Sequence, residues 1–266
     1  MRARINGIEM NFEVSGTADT PAVVLHHPLG SDLTVWDSLT AALEPSYRVI
    51  RMDARGHGKT EAPDGPYSFE MLSADVVGLL DELQIDQAHF VGLSMGGMIG
   101  QYLGMLHPKR FKSLCLVATT SAVPAEAHGL WDERIRVAQA GDLSSLVDVA
   151  VGRWVAPKTL QTKPEVVEHL KALMLATPPK GYAGWCQAIR NLNLTGRLKD
   201  IRLPTRVIVG ELDPSTPPSA AEVIHREIAG SDLIVMPGVS HMLHLEDPET
   251  FNGHVLEFLA ARDQSA

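Results

Sequence analysis

Cysteine is nearly missing from this chain of 266 residues, which holds only Cys115 and Cys186. They form no C-x-x-C pair and have no matching histidine pattern, so neither a structural metal site nor a disulfide framework is expected. Cys115 sits in the apolar run 114–117 and Cys186 follows Trp185; both read as small buried hydrophobes. Positive charge is also short. Against 32 Asp and Glu there are 23 Lys and Arg, a net charge of −9 and a pI near 5.6. Such a chain repels phosphate backbones and anionic lipid, which argues against nucleic acid and membrane surfaces as partners. No stretch approaches 18 apolar residues, and Met1-Arg-Ala-Arg-Ile-Asn-Gly7 has no apolar signal region. The expectation is therefore a cytoplasmic chain without a membrane span. Internal repeats and low-complexity tracts are missing as well.

What is present is a core-forming composition, 45% hydrophobic and 21% charged, globular by these proportions. Short apolar runs alternate with helical spacing. Strands are expected at 22–25, 48–52, 88–91 and 113–118, and helices at 33–43, 69–83 and 95–106. The segment 4–14, with Asn6-Gly7 inside it, reads as a hairpin. This rhythm predicts an α/β fold with a mostly parallel central sheet flanked by helices. It breaks after Thr120 and resumes with a strand at 205–209, a helix at 219–228, a strand at 233–236 and a helix at 249–260. Residues 1–121 and 191–266 are thus expected to form the core, and 122–190 a helical lid. The insert carries eight basic and seven acidic residues, so it is the less acidic part.

The strongest local signal is Gly92-Leu93-Ser94-Met95-Gly96-Gly97, a G-x-S-x-G sequence between an apolar strand and a helix. A chain reversing that sharply lifts the serine hydroxyl out of the sheet, and Gly92 and Gly96 avoid clashes in the turn. A serine hydroxyl is a weak nucleophile and needs a base oriented by a third group. After the later strands come Glu211-Leu212-Asp213 and Pro237-Gly238-Val239-Ser240-His241. Asp213 is the expected acid, with Glu211 a loop support, and His241 the expected base. His244 is placed at the pocket edge or on the following helix. Asp247, before Pro248, reads as a helix N-cap. Acyl transfer further needs donors for an oxyanion. Met95 N–H is one. The other is Leu29 N–H in His26-His27-Pro28-Leu29-Gly30, because Pro28 has none. Adjacent histidines on a strand point to opposite faces, so His26 and His27 are read as hydrogen-bonding supports rather than metal ligands. Asp53-Ala-Arg55-Gly-His-Gly58-Lys-Thr60 lacks phosphate-loop spacing, and Asp53 and Arg55 are read as holding that turn. No metal and no cofactor is expected.

With Asp53-x-Arg55-Gly56-x-Gly58 and Gly92-x-Ser94-Met95-Gly96-Gly97 in place, the whole chain resembles the α/β-hydrolase superfamily. Within it, the chain looks like the 3-oxoadipate enol-lactonases over nearly its full length. The resemblance is carried by Leu29-Gly30-Ser31-Asp32-Leu33-Thr34-Val35-Trp36, Gly65-Pro66-Tyr67-Ser68, His89 through Gly97, and Ile99-Gly100-Gln101. In the insert it is carried by Trp131-x-x-Arg134-Ile135 and by Gly181-Tyr182-Ala183-Gly184 with Cys186 and Arg190. The turn His26-His27-Pro28 departs from the Ser/Asn-rich turn of that family, and the stretch after His241 is more generic. The resemblance implies a small-molecule ester or lactone substrate bearing a carboxylate. Arg134 and Arg190 are then the candidates to grip it, with Trp131, Trp154, Trp185 and Met174 as apolar lining. Other esterases and lactonases, C–C bond hydrolases, cofactor-free perhydrolases and a non-catalytic receptor share the same core motifs.

Overall fold

Asn6 and Gly7 both have positive φ, 47° and 83°, the geometry of a two-residue turn that matches strand twist. They join β1 (Arg2–Ile5) to β2 (Ile8–Ser15) as the expected hairpin. The computed structural model describes residues 1–264. After β2 the chain runs through β3 (Ala22–His26), α1 (Asp37–Leu43), β4 (Arg48–Met52), α2 (Phe69–Glu82), β5 (Ala88–Leu93), α3 (Met95–Leu106) and β6 (Phe111–Val117). Five helices follow: α4 (His128–Gln139), α5 (Ser144–Trp154), α6 (Pro157–Thr162), α7 (Pro164–Ala176) and α8 (Pro179–Arg190). The chain closes with β7 (Thr205–Gly210), α9 (Pro218–Glu227), β8 (Asp232–Met236), α10 (Leu243–Glu246) and α11 (Pro248–Asp263).

The eight strands form one sheet in the order β1-β2-β4-β3-β5-β6-β7-β8, antiparallel at β1–β2 and β2–β4 and parallel elsewhere. This is the α/β-hydrolase fold. Every residue of β3 and β5 is buried, which is why these strands read as unbroken apolar runs. The strand order reverses at β3, with β4 on one side and β5 on the other. Ligands of open parallel sheets bind outside the carboxyl ends of the strands at such a point.

Three elements differ from the sequence expectation. Residues 33–43 are not one helix. Asp32 accepts the Thr34 N–H at 2.9 Å and Asp53 accepts the Leu33 N–H at 2.9 Å, and these bonds shape a short 3₁₀ turn ahead of α1. Strand β6 stops at Val117 because Ala118 takes a φ of 43°. The short helix α10 just after His241 has no counterpart in the apolar spacing.

Between β6 and β7 the two ends of the helical segment meet at an Ala122–Asn193 bridge. Val123 N–H donates to the Leu192 carbonyl and Leu194 N–H to the Ser121 carbonyl, at 3.0 and 2.7 Å. One apolar core runs from the sheet into these helices, through Leu170, Met174, Tyr182 and Trp185. At one place backbone meets backbone: a Cβ on Gly181 would stand 2.1 Å from the Gly56 carbonyl oxygen. The segment is thereby seated directly on the loop after β4. Among the described residues no helix is long and apolar enough to cross a membrane.

Candidate active site

Ser94 follows the last residue of β5 and precedes the first of α3, with φ 54° and ψ −110°. A non-glycine residue held there is strained by about 1–3 kcal/mol. The surroundings over-determine it. Ser94 N–H donates to the Val117 carbonyl at 2.8 Å, and the Thr119 hydroxyl donates to the Ser94 carbonyl at 2.7 Å. A Cβ on Gly92 would lie 2.3 Å from the Gly96 carbonyl oxygen, and one on Gly96 2.3 Å from the His26 carbonyl oxygen. Only glycine allows the strand, the turn and α3 to approach this closely.

His241 lies in the loop after β8 and Asp213 in the loop after β7. His241 Nδ1 is 2.7 Å from Asp213 Oδ2, and both residues are buried. The Asp213 carboxylate also accepts the N–H groups of Ser215 and Thr216 at 2.8 and 3.1 Å and the Thr216 hydroxyl at 2.8 Å. Burial alone would raise its pKa. The charge and hydrogen bond of His241 and the bonds from Thr216 outweigh burial and hold the carboxyl below its usual range. Ser94 and His241 both face one cavity of 650 Å³, also lined by Pro28, Leu29, Trp131 and Trp154. The arrangement suits transfer of the Ser94 proton to a ring nitrogen whose partner across the ring is fixed by a carboxylate.

The remaining sequence candidates separate cleanly. Glu211 accepts the Gly238 N–H at 2.9 Å, so it supports the loop beside Asp213. Asp247 accepts the Thr250 N–H at 3.3 Å and caps α11. Asp53 accepts the N–H groups of Leu33 and Lys59, and Arg55 grips Asp75 through two bonds of 2.7 and 2.8 Å. Cys115 and Cys186 are buried free thiols. His244 does not reach the cavity; it is buried 4.9 Å from the Trp36 ring, centroid to centroid. Leu29 N–H has no hydrogen-bond partner among the described residues. Met95 N–H opens α3, where no carbonyl lies one turn back. No group of three or more His, Cys, Asp or Glu is arranged to hold a metal ion among the described residues.

Of the six side chains implied at the substrate, Trp131, Trp154 and Arg134 line the cavity. Met174, Trp185 and Arg190 do not, which corrects the expectation for all three; Met174 is fully buried in the core. Trp185 is fully buried beneath the site and donates its indole N–H to the Arg55 carbonyl at 2.7 Å. Arg190 turns outward, and its guanidinium takes the Asp132 carboxylate at 2.5 and 3.1 Å. Its place is taken by a residue the sequence did not single out, Arg153, which lines the cavity and donates to the Pro214 carbonyl at 3.0 Å. Thr216 and Glu246 were missed too. Glu246 accepts the N–H groups of Ser240 and Ala156, both at 2.7 Å, and the Thr159 hydroxyl at 2.6 Å. It thus ties the histidine loop to the helical segment. The turn sequence Asp213-Pro-Ser-Thr-Pro-Pro was the available signal for Thr216; Glu246 gave none.

The buried histidines set the acid response. Burial pushes His26 and His244 down to about 3 from 6.5. The unfolded chain then binds protons between pH 6.5 and about 3 that the folded chain refuses. Stability is fully present above pH 6.5 and lost as pH falls through that window. Each of the two contributes a slope of about 1.4 kcal/mol per pH unit. Denaturant titrations at pH 7, 6 and 5 are expected to show stability falling steeply, and His26→Asn to flatten the slope. A pH-independent midpoint would count against the buried neutral state.

The model of the alpha/beta hydrolase family matches residues 23–254. The chain is 36% identical to 3-oxoadipate enol-lactonase 2 of Acinetobacter baylyi over 255 residues, covering 96% of this chain and 94% of that protein. Among solved structures, the enol-lactonase from Burkholderia xenovorans LB400 superposes with a TM-score of 0.94 at 33% identity, over 98% of this chain and all of that one (100%). A hydrolase from Pseudomonas aeruginosa PA01 gives 0.93 at 38% identity, over 97% of both chains.

Proposed function

The chain belongs to the alpha/beta hydrolase family, and from that premise we propose that it is a serine hydrolase opening a carboxylic ester or lactone through an acyl-enzyme. Its proposed substrate is 3-oxoadipate enol-lactone, the compound named by its enol-lactonase relatives, which would place it in the β-ketoadipate route of aromatic breakdown. The observation that carries the reading is Ser94, held at φ 54° in one cavity with His241, whose far nitrogen is bound to Asp213. The helical segment 122–190 serves as the lid over this cavity.

In the proposed reaction His241 Nε2 takes the Ser94 proton as Oγ attacks the lactone carbonyl carbon. The oxyanion is held by Leu29 and Met95 N–H. Collapse breaks the ring C–O bond, and the departing enolate oxygen takes the proton from His241. Water then gives its proton to His241 and attacks the acyl-enzyme, and Ser94 leaves with that proton.

Substrate charge is supported by the wall. Arg134 and Arg153 line the cavity, and no aspartate or glutamate among the described residues does. Arg134 is half-buried, stands over the Trp131 ring at 4.7 Å and has no carboxylate partner among the described residues. An unpaired guanidinium in a protein of net charge −9 favours a substrate that brings its own carboxylate. Loss of the enol-lactone's ultraviolet absorbance tests the proposal directly: fast turnover supports it, and turnover of neutral esters alone would move the substrate assignment elsewhere. Arg134→Ala is expected to raise KM for a carboxylated substrate about 10–100-fold, the value of a charged hydrogen bond. A neutral ester should be hydrolysed within about threefold of wild type. Equal effects on both would remove the carboxylate contact.

A further inference from the structure

Three buried histidines stand behind the cavity wall and take no part in the reaction above. His26 ends β3, His27 follows it, and His57 lies in the loop after β4. All three are at most 1% exposed. The hydrogen bonds of two of them fix their tautomers. Ala54 N–H donates to His27 Nε2 at 2.9 Å, so Nε2 carries no proton, and His27 Nδ1, 2.8 Å from the Pro28 carbonyl, must be the donor there. Gly30 N–H donates to His57 Nε2 at 3.1 Å. The two rings lie 5.2 Å apart. The loops after β3 and β4 are therefore cross-bonded in both directions, each giving one N–H to an imidazole of the other.

Between these two anchors lies Leu29. The Pro28 carbonyl and the Leu29 N–H belong to one peptide plane. That carbonyl is held from behind by His27 Nδ1 and by the Ser31 hydroxyl, the latter at 2.9 Å. In a trans peptide the N–H points opposite to the C=O. Pinning the carbonyl to the rear turns the Leu29 N–H toward the cavity that Pro28, Leu29 and Ser94 share. The next N–H, of Gly30, is engaged by His57 and so cannot compete for a substrate oxygen.

We propose that His27, with His57 as its counterpart, is a positioning residue that aims the Leu29 N–H at the substrate carbonyl oxygen. This rests on the serine-hydrolase reading of the same cavity. Burial lowers the pKa of both imidazoles and keeps them neutral, as the bonding requires. The role needs one Nδ1 donor and one Nε2 acceptor. An asparagine at 27 retains an amide donor near the Nδ1 position, whereas leucine retains neither.

The test is p-nitrophenyl acetate turnover by wild type, His27→Leu and His27→Asn, normalised to active sites titrated from the p-nitrophenol burst. Removing one oxyanion donor costs about 10²–10³-fold in kcat. His27→Leu should therefore lose about 10²-fold in kcat per active site, with KM within about threefold. His27→Asn should recover at least about tenfold of that loss. A purely structural role would lower the titratable fraction or the melting temperature while leaving kcat per site unchanged, and that result would overturn the proposal. Should His27→Leu fail to fold, the imidazole ¹⁵N–¹H correlation spectrum of the wild type decides. His27 and His57 must both appear as neutral Nδ1–H tautomers at pH 7, and an Nε2–H tautomer at His27 overturns the proposal. A wild type inert toward every ester would instead remove the serine-hydrolase reading, an outcome told apart by the tautomers still being as described.

Discussion

Replacing Ser94 with alanine is expected to remove ester and lactone hydrolysis, lowering kcat by about 10⁴-fold or more. The reason is local. Ser94 supplies the only protein atom in the proposed reaction that forms a bond to the acyl carbon. The proposed oxyanion donors are main-chain groups, so they survive the change and leave a small residual rate over water. The fold should survive as well, because the contacts that hold the elbow are made by the backbone of residue 94 and not by its hydroxyl. The measurement is enol-lactone absorbance decay in wild type and Ser94→Ala after subtracting spontaneous hydrolysis, with the melting temperature as control. A fluorophosphonate probe should label wild type and leave the variant unlabelled. A folded variant that keeps a tenth of the rate would take the nucleophile role away from Ser94.

Asp213→Asn is expected to lower kcat by about 10⁴-fold with the substrate still bound. Asp213 Oδ2 faces His241 Nδ1 at 2.7 Å and also takes the Thr216 hydroxyl at 2.8 Å. A carboxylate there demands a proton on Nδ1, which leaves Nε2 free to act as base. An amide nitrogen in the same place reverses the demand. The proton then moves to Nε2 and the ring can no longer accept one from Ser94. No volume changes, so the loss reports tautomer and charge rather than packing. The comparison variant is Glu211→Gln. Glu211 serves the Gly238 N–H, and its loss should leave kcat within about threefold. The reverse pattern, an active Asp213→Asn and an inactive Glu211→Gln, would transfer the acid role to Glu211.

The elements that carry Ser94, Asp213 and His241 were legible in the sequence because their signals are local. A fully buried strand is an apolar run, a tight strand-to-helix turn needs small residues on both sides of the serine, and each later loop follows a strand of its own. The α/β rhythm and its interruption after Thr120 were readable for the same reason. The Leu29 N–H could be named by elimination, since Pro28 has no proton on nitrogen.

Other features depend on which face of an element meets which neighbour, and one-dimensional spacing does not contain that. Arg134 and Arg190 were equivalent as letters. Arg134 sits where α4 faces the cavity, while Arg190 at the end of α8 meets Asp132 and is drawn outward. Trp185 was expected on the wall but is fully buried under it, because its indole N–H finds the Arg55 carbonyl. Arg153, Thr216 and Glu246 acquired their places only when loops far apart in the chain were brought together. Fold class, the sharp turn that carries Ser94 and the order of the groups proposed to act on it were readable from the letters alone, all being properties of short segments. The tertiary structure alone decided which cations border the cavity, and that two buried imidazoles clamp the loop beside the serine, since both follow from long-range packing that turns a side chain inward or out.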